Sequence, residues 1–247
     1  MTNEEAAERV EDLIEQAWDA PTPEDRADLA REALLTDPNA IDAYVVLATC
    51  VPTPTENIAL LREAVRVGND AWADALERRE SDFFWSDIRT RPFMRAMQSL
   101  ALALWKQGVH VEAAKVADRL LLLNPNDNQG IRYLAFAWHP VLGGWERVEH
   151  LLKEYEGEIR TEYLYTHCLN VFRRGDDCEA ILAQAVQINP HVPELLLSDQ
   201  ARSLAQFDEF VSLGSRQEAI AYATHNRAAW ESVPLALGWL RGATKDR

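Results

Sequence analysis

Three stretches of this chain close in the same way, and that cadence constrains the fold more than any other feature. They read Ala33-Leu34-Leu35-Thr36-Asp37-Pro38, Leu120-Leu121-Leu122-Leu123-Asn124-Pro125 and Ala185-Val186-Gln187-Ile188-Asn189-Pro190. In each, the proline follows a small or aliphatic residue by five positions, and a polar break precedes the next helical run. Proline lacks a backbone N–H and disfavours the helical region for the residue before it, so each of these positions stops a helix. Helices stopped at a recurring interval imply helix-turn-helix repeats of about 34 residues. Such a unit buries its apolar face only by stacking on a neighbour.

The most regular copy carries Met97, Leu100, Ala101 and Leu104 at helical spacing, then Gly108 at a turn, then Ala113, Ala117 and Leu120 before Pro125. Small residues let paired helices approach, and the turn glycine takes a backbone angle closed to other residues. A second copy has Tyr44, Leu47 and Ala48 in its first helix and Leu60, Ala64 and Val67 in its second, with Pro52 and Pro54 in the turn. Two further copies carry Leu134, Ala135, Gly143, Trp145, Val148, Leu152 and Tyr155, and then Gly175, Leu182, Ala185 and Pro190. These units resemble the tetratricopeptide repeat. The expected fold is all-α: a right-handed α-solenoid of tetratricopeptide-like helix pairs with a non-repeat helical C-terminal cap. Its plan is acidic helical repeats over 1–70, an inserted helix and aromatic loop over 71–92, repeats over 93–190 and the cap over 191–247, in one continuous array.

The insertion follows from arithmetic. Pro38 and Pro125 stand 87 positions apart, more than two units of about 34 and fewer than three. The surplus falls near 69–91, where Ala71 to Arg79 reads as a helix and Phe83-Phe84-Trp85 as an aromatic cluster. Insertions in repeat arrays often sit near a binding face. An aromatic plug sealing a join between two sub-arrays is the other reading.

Charge is unevenly placed. Residues 1–88 hold 21 Asp and Glu against 7 Lys and Arg, whereas residues 89–247 hold 19 against 18. An acidic face repels nucleic acid and anionic membrane and favours a basic partner, or else it only keeps outer helix faces soluble. No apolar run approaches the roughly 18–20 residues that cross a bilayer. The acidic start Met-Thr-Asn-Glu-Glu lacks the basic and apolar regions of a secretory signal. Cys50, Cys168 and Cys178 show no metal-ligand spacing and imply no disulfide. The expected location is cytoplasmic.

Within this background Arg89, Arg91 and Arg95 form a basic island. Arg91 and Pro92 open the first helix of the best repeat, and Arg95, Gln98, Leu102 and Trp105 continue one stripe at spacings of three and four. The matching stripe of the next unit has Gln129, Arg132, Phe136 and His139, with Tyr133 nearby, and the one after offers Tyr165. In tetratricopeptide architecture this stripe lines the concave face. The candidate partner-binding residues are therefore Arg91, Arg95, Gln98, Trp105, Gln129, Arg132, Tyr133, Phe136, His139 and Tyr165. Arginines beside aromatics suit a carboxylate-bearing peptide. The competing reading pairs these arginines with nearby Asp and Glu and places the aromatics in the core.

Catalytic machinery is not apparent. There is no nucleophile elbow, phosphate-cradling glycine loop or His-Glu-x-x-His. His167 and Cys168 are adjacent, but neighbours on a helix point about 100° apart and do not serve each other. Asn124 to Gly130 reads as a turn with a helix cap, and His191 as a turn residue. No catalytic residue, metal or cofactor is expected.

The tail carries a second resemblance. Asn189-Pro190-His191-Val192-Pro193 is followed by Leu195-Leu196-Leu197, Gly214-Ser215, Glu218-Ala219-Ile220-Ala221-Tyr222-Ala223, Trp230 and Leu235-Ala236-Leu237-Gly238-Trp239-Leu240. This order resembles the C-terminal part of the suppressor-of-tumorigenicity-seven family and its bacterial relatives, over about 185–240 and more loosely back to about 85. The resemblance implies no catalytic residues. Its eukaryotic members are membrane-associated, whereas no spanning segment is read here. Physically the tail reads as the cap a solenoid needs, with Leu235, Leu237, Trp239 and Leu240 turned inward.

Two function classes follow. The first is a non-enzymatic interaction module that binds a partner protein or peptide in a concave groove, without nucleic acid or membrane. The second is a structural element that works as a homo-oligomer.

Overall fold

The computed structural model describes residues 2–78, 81–198 and 211–245. Those residues form fifteen α-helices, one 3-10 turn and no strand, so the chain is all-α. It divides into two compact units, residues 1–131 and 132–247.

The first unit holds α1 (Asn3–Asp19), α2 (Pro23–Thr36), α3 (Ile41–Cys50), α4 (Pro54–Ala71), α5 (Ala73–Glu77), α6 (Ser81–Ser86), the 3-10 turn Ile88–Thr90, α7 (Arg91–Lys106) and α8 (His110–Leu123). Consecutive helices pair as α1 with α2, α3 with α4 and α7 with α8, while α3 also touches α1, α2 and α7. The helix starts are set by local chemistry. At Thr2 the hydroxyl accepts from the Glu5 amide at 3.2 Å and the Glu5 carboxylate accepts from the Thr2 amide at 2.7 Å, a reciprocal capping box. Thr22 and Thr53 cap α2 and α4 through their hydroxyls, each followed by a proline in the first turn. Pro54 therefore opens α4, and of the two prolines only Pro52 lies in the turn.

The recurring prolines have one structural meaning. Asp37, Asn124 and Asn189 are the residues just past α2, α8 and the helix Glu179–Ile188, at φ −137°, −140° and −142°. Their amides donate to Ala33, Leu120 and Ala185 at 2.8, 2.9 and 2.9 Å. Each acceptor is the small or aliphatic residue five positions before the proline, and all three are fully buried. The chain thus closes its last helical bond, leaves the helix in an extended step and meets a residue that cannot resume it.

Between α4 and α7 lie α5, α6 and the 3-10 turn. Phe84 is fully buried, edge-on to Trp72 at 6.2 Å and tilted against Phe93 at 6.3 Å. The Thr90 hydroxyl donates to the carbonyls of Phe84 and Asp87, pinning the turn. Phe84 thus enters the core of its own unit. Arg79 and the side chain of Phe83 lie outside the described residues. Phe93 reaches its place because α4 presents Gly68, where a β-carbon would stand 2.1 Å from the ring.

The second unit holds α9 (Ile131–Val141, whose first residue closes the first unit), α10 (Trp145–Glu154), α11 (Thr161–Arg173), α12 (Glu179–Ile188), α13 (Val192–Leu197), α14 (Arg216–Glu231) and α15 (Ala236–Ala243). Helix α11 is central and touches α10, α12, α14 and α15. The turn glycines Gly108, Gly143 and Gly175 take φ 78°, 72° and 79°, the left-handed region expected of them. Asp127 caps α9, its carboxylate accepting from the Ile131 amide at 2.7 Å, so the Asn124–Gly130 run is a turn with a helix cap. The last helix departs from expectation at its start. Leu235 takes φ 66° and is 83% exposed, while Leu240 alone of the four named residues is fully buried.

Candidate functional site

The first unit contains a recess of about 1090 Å³. Its walls come from α1, from the loop and start of α3 at Asn39–Asp42, from Ala71 and Trp72 at the end of α4, from the 3-10 turn and from the first turns of α7. They include the first helix of each of the pairs α1–α2, α3–α4 and α7–α8. Helix α1 turns Val10, Leu13 and Ala17 into the core of the unit. The neighbouring stripe, Glu11, Ile14, Glu15 and Trp18, lines the recess at helical spacing. Trp18 is 41% exposed, and Ile88 on the 3-10 turn is 75% exposed.

The predicted residues of this unit are placed as follows. Arg95 lines the recess and makes a two-point pair with Asp42. Its guanidinium is held more basic than usual by that hydrogen-bonded pair, partly offset by burial. Arg91 stacks over Trp85 at 3.8 Å and donates to the Trp85 carbonyl at 3.3 and 3.2 Å, so it buttresses the insertion. Arg89, also on the recess wall, is bound to Asp87, whose carboxyl is lowered by those hydrogen bonds. Gln98 accepts from Gln129 at 2.9 Å. Trp105 lies half-buried on His110, ring centres 4.2 Å apart.

In the second unit the expected stripe is largely interior. Phe136 and Tyr165 are fully buried. Phe136 sits edge-on to Tyr163 at 6.2 Å, and the Tyr165 hydroxyl donates to the Asn189 carbonyl at 2.8 Å. His139 is buried as well. Arg132 donates to Glu158 at 2.7 Å and to the Tyr133 hydroxyl at 2.6 Å, with its side chain only 14% exposed. Burial raises the Glu158 carboxyl, but its bonds to Arg132 and Tyr133 outweigh that and the net displacement is downward. Phe136, His139 and Tyr165 are therefore not surface anchors, and Arg132 is closed by its own acid. The physical reason is that α11 is covered by α10, α12, α14 and α15, and α9 packs on it through Phe136, so apolar positions beyond a single stripe go inside.

A second constellation gathers the tail residues. One carboxylate oxygen of Glu218, Oε2, accepts from the Gly214 amide at 2.7 Å, from Asn189 Nδ2 at 2.9 Å and from the Thr161 hydroxyl at 2.9 Å. Asn189 Nδ2 also donates to the Ser215 carbonyl at 3.1 Å, and the Asn189 side-chain oxygen accepts from the His191 amide at 3.2 Å. Beside it Trp230 Nε1 donates to the Tyr222 hydroxyl at 3.0 Å, and Tyr222 lies 5.5 Å from Tyr165. Glu218, Asn189 and Thr161 are buried, and donors aimed at one carboxylate satisfy polar groups that burial otherwise penalises. This arrangement closes a fold and presents no reacting group to solvent.

Sequence reasoning did not single out Ile14, Trp18, Glu11 or Glu15. The signal was present in the 11, 14, 15, 18 spacing of α1, which the excess of acid in that region obscured.

No family model matches the chain. It is 25% identical over 261 aligned positions to the suppressor of tumorigenicity 7 protein-like of Rattus norvegicus and, with the same figures, to that of Mus musculus. Each alignment covers 93% of this chain and 45% of the relative, so the chain spans less than half the length of the curated relatives it matches. The similarity is distant, yet at 93% coverage it runs beyond the tail and into the acidic first part. Among the described residues no helix is long and apolar enough to cross a membrane.

Proposed function

We propose that this chain is a non-enzymatic protein–protein interaction module, a scaffold built from tetratricopeptide-like helix pairs stacked in the right-handed sense and related to the suppressor-of-tumorigenicity-seven family. One observation carries the reading: the first helices of three pairs contribute to the walls of a recess of about 1090 Å³ that presents exposed aromatic and aliphatic side chains. Repeat arrays use the same helices to hold partners. The distant similarity to the rat and mouse proteins agrees with a scaffold role and adds no chemistry. Partner binding without nucleic acid, membrane or cofactor, in the cytoplasm, completes the proposal.

The test is co-purification of a partner from cells expressing the tagged chain, beside Trp18→Ala and Ile88→Ser. A partner present with the parent chain and lost from both variants supports the module and its recess. A partner retained by both places binding elsewhere. Homo-oligomerisation is the competing role, and light scattering at micromolar concentration separates the two, since a monomer excludes it.

A further inference from the structure

We propose that the recess of the first unit receives a basic peptide segment of a partner protein, with two cationic side chains flanking one large apolar anchor. This deepens the interaction-module reading and rests on it. A volume of about 1090 Å³ lies just above the roughly 300–1,000 Å³ typical of small-ligand clefts, and so suits a run of several residues.

The sign of the occupant follows from which charges are already spent. Arg95 is bound at two points to Asp42 and Arg89 to Asp87, so both recess arginines are neutralised by the protein itself. Glu11 and Glu15 are exposed and form no ion pair among the described residues. They stand one helical turn apart on α1, a rise of about 6 Å, which spaces two cations of a bound segment. The wider field agrees, because 21 acids against 7 bases occupy residues 1–88. An acidic or phosphorylated segment would meet these two carboxylates with both recess guanidinium groups already engaged.

The acids do not stand alone. Trp18 shares their stripe, and its exposed indole offers an apolar wall and a ring face for a guanidinium. Ile88 lies on the wall built by the 3-10 turn, 75% exposed. A second copy of this chain is a poor occupant, since a two-fold contact through this face sets Glu11 and Glu15 against their own counterparts.

The experiment selects random 12-residue peptides on display against the full chain at about 0.15 M salt, where surface charges are screened beyond about 8 Å. Enriched peptides are titrated by fluorescence anisotropy. The expected winners carry Lys or Arg beside an aromatic or branched aliphatic residue. Glu11→Lys with Glu15→Lys should weaken them by about thirtyfold, and Trp18→Ala by about tenfold. Ile88→Ser, at a site 75% exposed and so no folding lesion, removes the apolar wall without adding charge and should also weaken them. Asp12→Lys with Asp19→Lys is the control: the same charge change on the same helix, at exposed positions that do not line the recess. It should cost less than about threefold.

Enrichment of acidic or neutral peptides overturns the basic occupant and leaves the module standing. Basic peptides weakened equally by both charge reversals overturn the site, since the attraction is then only the overall field. No enrichment overturns the proposal; no enrichment together with no co-purified partner overturns the module too.

Discussion

Arg95 on α7 grips Asp42 on α3 across 53 positions of sequence, Nε to Oδ1 at 2.9 Å and Nη2 to Oδ2 at 2.7 Å. The arginine side chain is 47% exposed, but its partner is only 10% exposed. The pair therefore acts more as a clasp between two first helices than as an open receptor for a ligand carboxylate. Arg95→Glu places two acids together and should cost about 1–2 kcal/mol, a screened value for a half-exposed pair. The exchange Asp42→Arg with Arg95→Asp should recover part of it. Urea unfolding of the parent chain and the two variants checks this, and equal stability of single and exchanged variants would sink the clasp.

Gly68 supplies the second prediction. A β-carbon there meets Phe93 Cδ2 at 2.1 Å and Cγ at 2.7 Å, and Phe93 is fully buried beside Phe84. Gly68→Ala should destabilise by about 1–3 kcal/mol through overpacking, despite the better helix propensity of alanine. Combining it with Phe93→Leu should cost less than the sum of the two, because the changes share one contact. Thermal unfolding of the cycle gives the coupling.

Glu218 supplies the third. Glu218→Ala leaves the Gly214 amide and the Thr161 hydroxyl without their buried acceptor, and should cost about 2–4 kcal/mol. Glu218→Gln keeps one acceptor oxygen and should cost roughly half as much. The sharper readout is the exchange rate of the Gly214 amide, which should rise in both variants ahead of global unfolding.

Acid stability is the fourth. Burial lowers the His167 imidazole below its ordinary value, with a smaller opposing pull from Glu156. A lowered histidine binds its proton later in the folded chain than in the unfolded one. Stability should therefore fall as pH drops from about 6.5 toward the depressed value. His167→Gln should flatten that slope. Glu158, lowered in net by its bonds to Arg132 and Tyr133, adds its own loss at more acid pH, below the ordinary glutamate range. A denaturation series from about pH 7.5 to about pH 2 spans both windows; a slope unchanged by His167→Gln removes the histidine from the account.

The helix ends were the most legible part of the sequence. A proline stop acts within a few residues, so Pro38, Pro125 and Pro190 carry their meaning locally, whereas the caps Thr2 and Thr22 were not singled out. The turn glycines read equally well for the same reason. Which side of a helix faces solvent was less legible. Phe136 and Tyr165 occupy the predicted stripe yet lie inside, because spacing along one helix does not reveal how many neighbours cover it. Partners were least legible of all: nothing in the run around Arg95 announces Asp42, 53 residues earlier. Trp18 was passed over because an acid-rich segment reads first as solubilising surface, although its apolar spacing was there to count.

The convergence on Glu218 Oε2 bears on where this chain can be cut. The repeat cadence stops at Pro190, and a truncation guided by rhythm alone would divide the chain there. The bonds do not respect that line: Thr161 and Asn189 lie before it, or at its edge, and their acceptor arrives only with the helix that begins at Arg216. A fragment ending at Pro190 would keep its last repeat in name while stranding the groups that fasten it, so rhythm and mechanical continuity part company at Asn189.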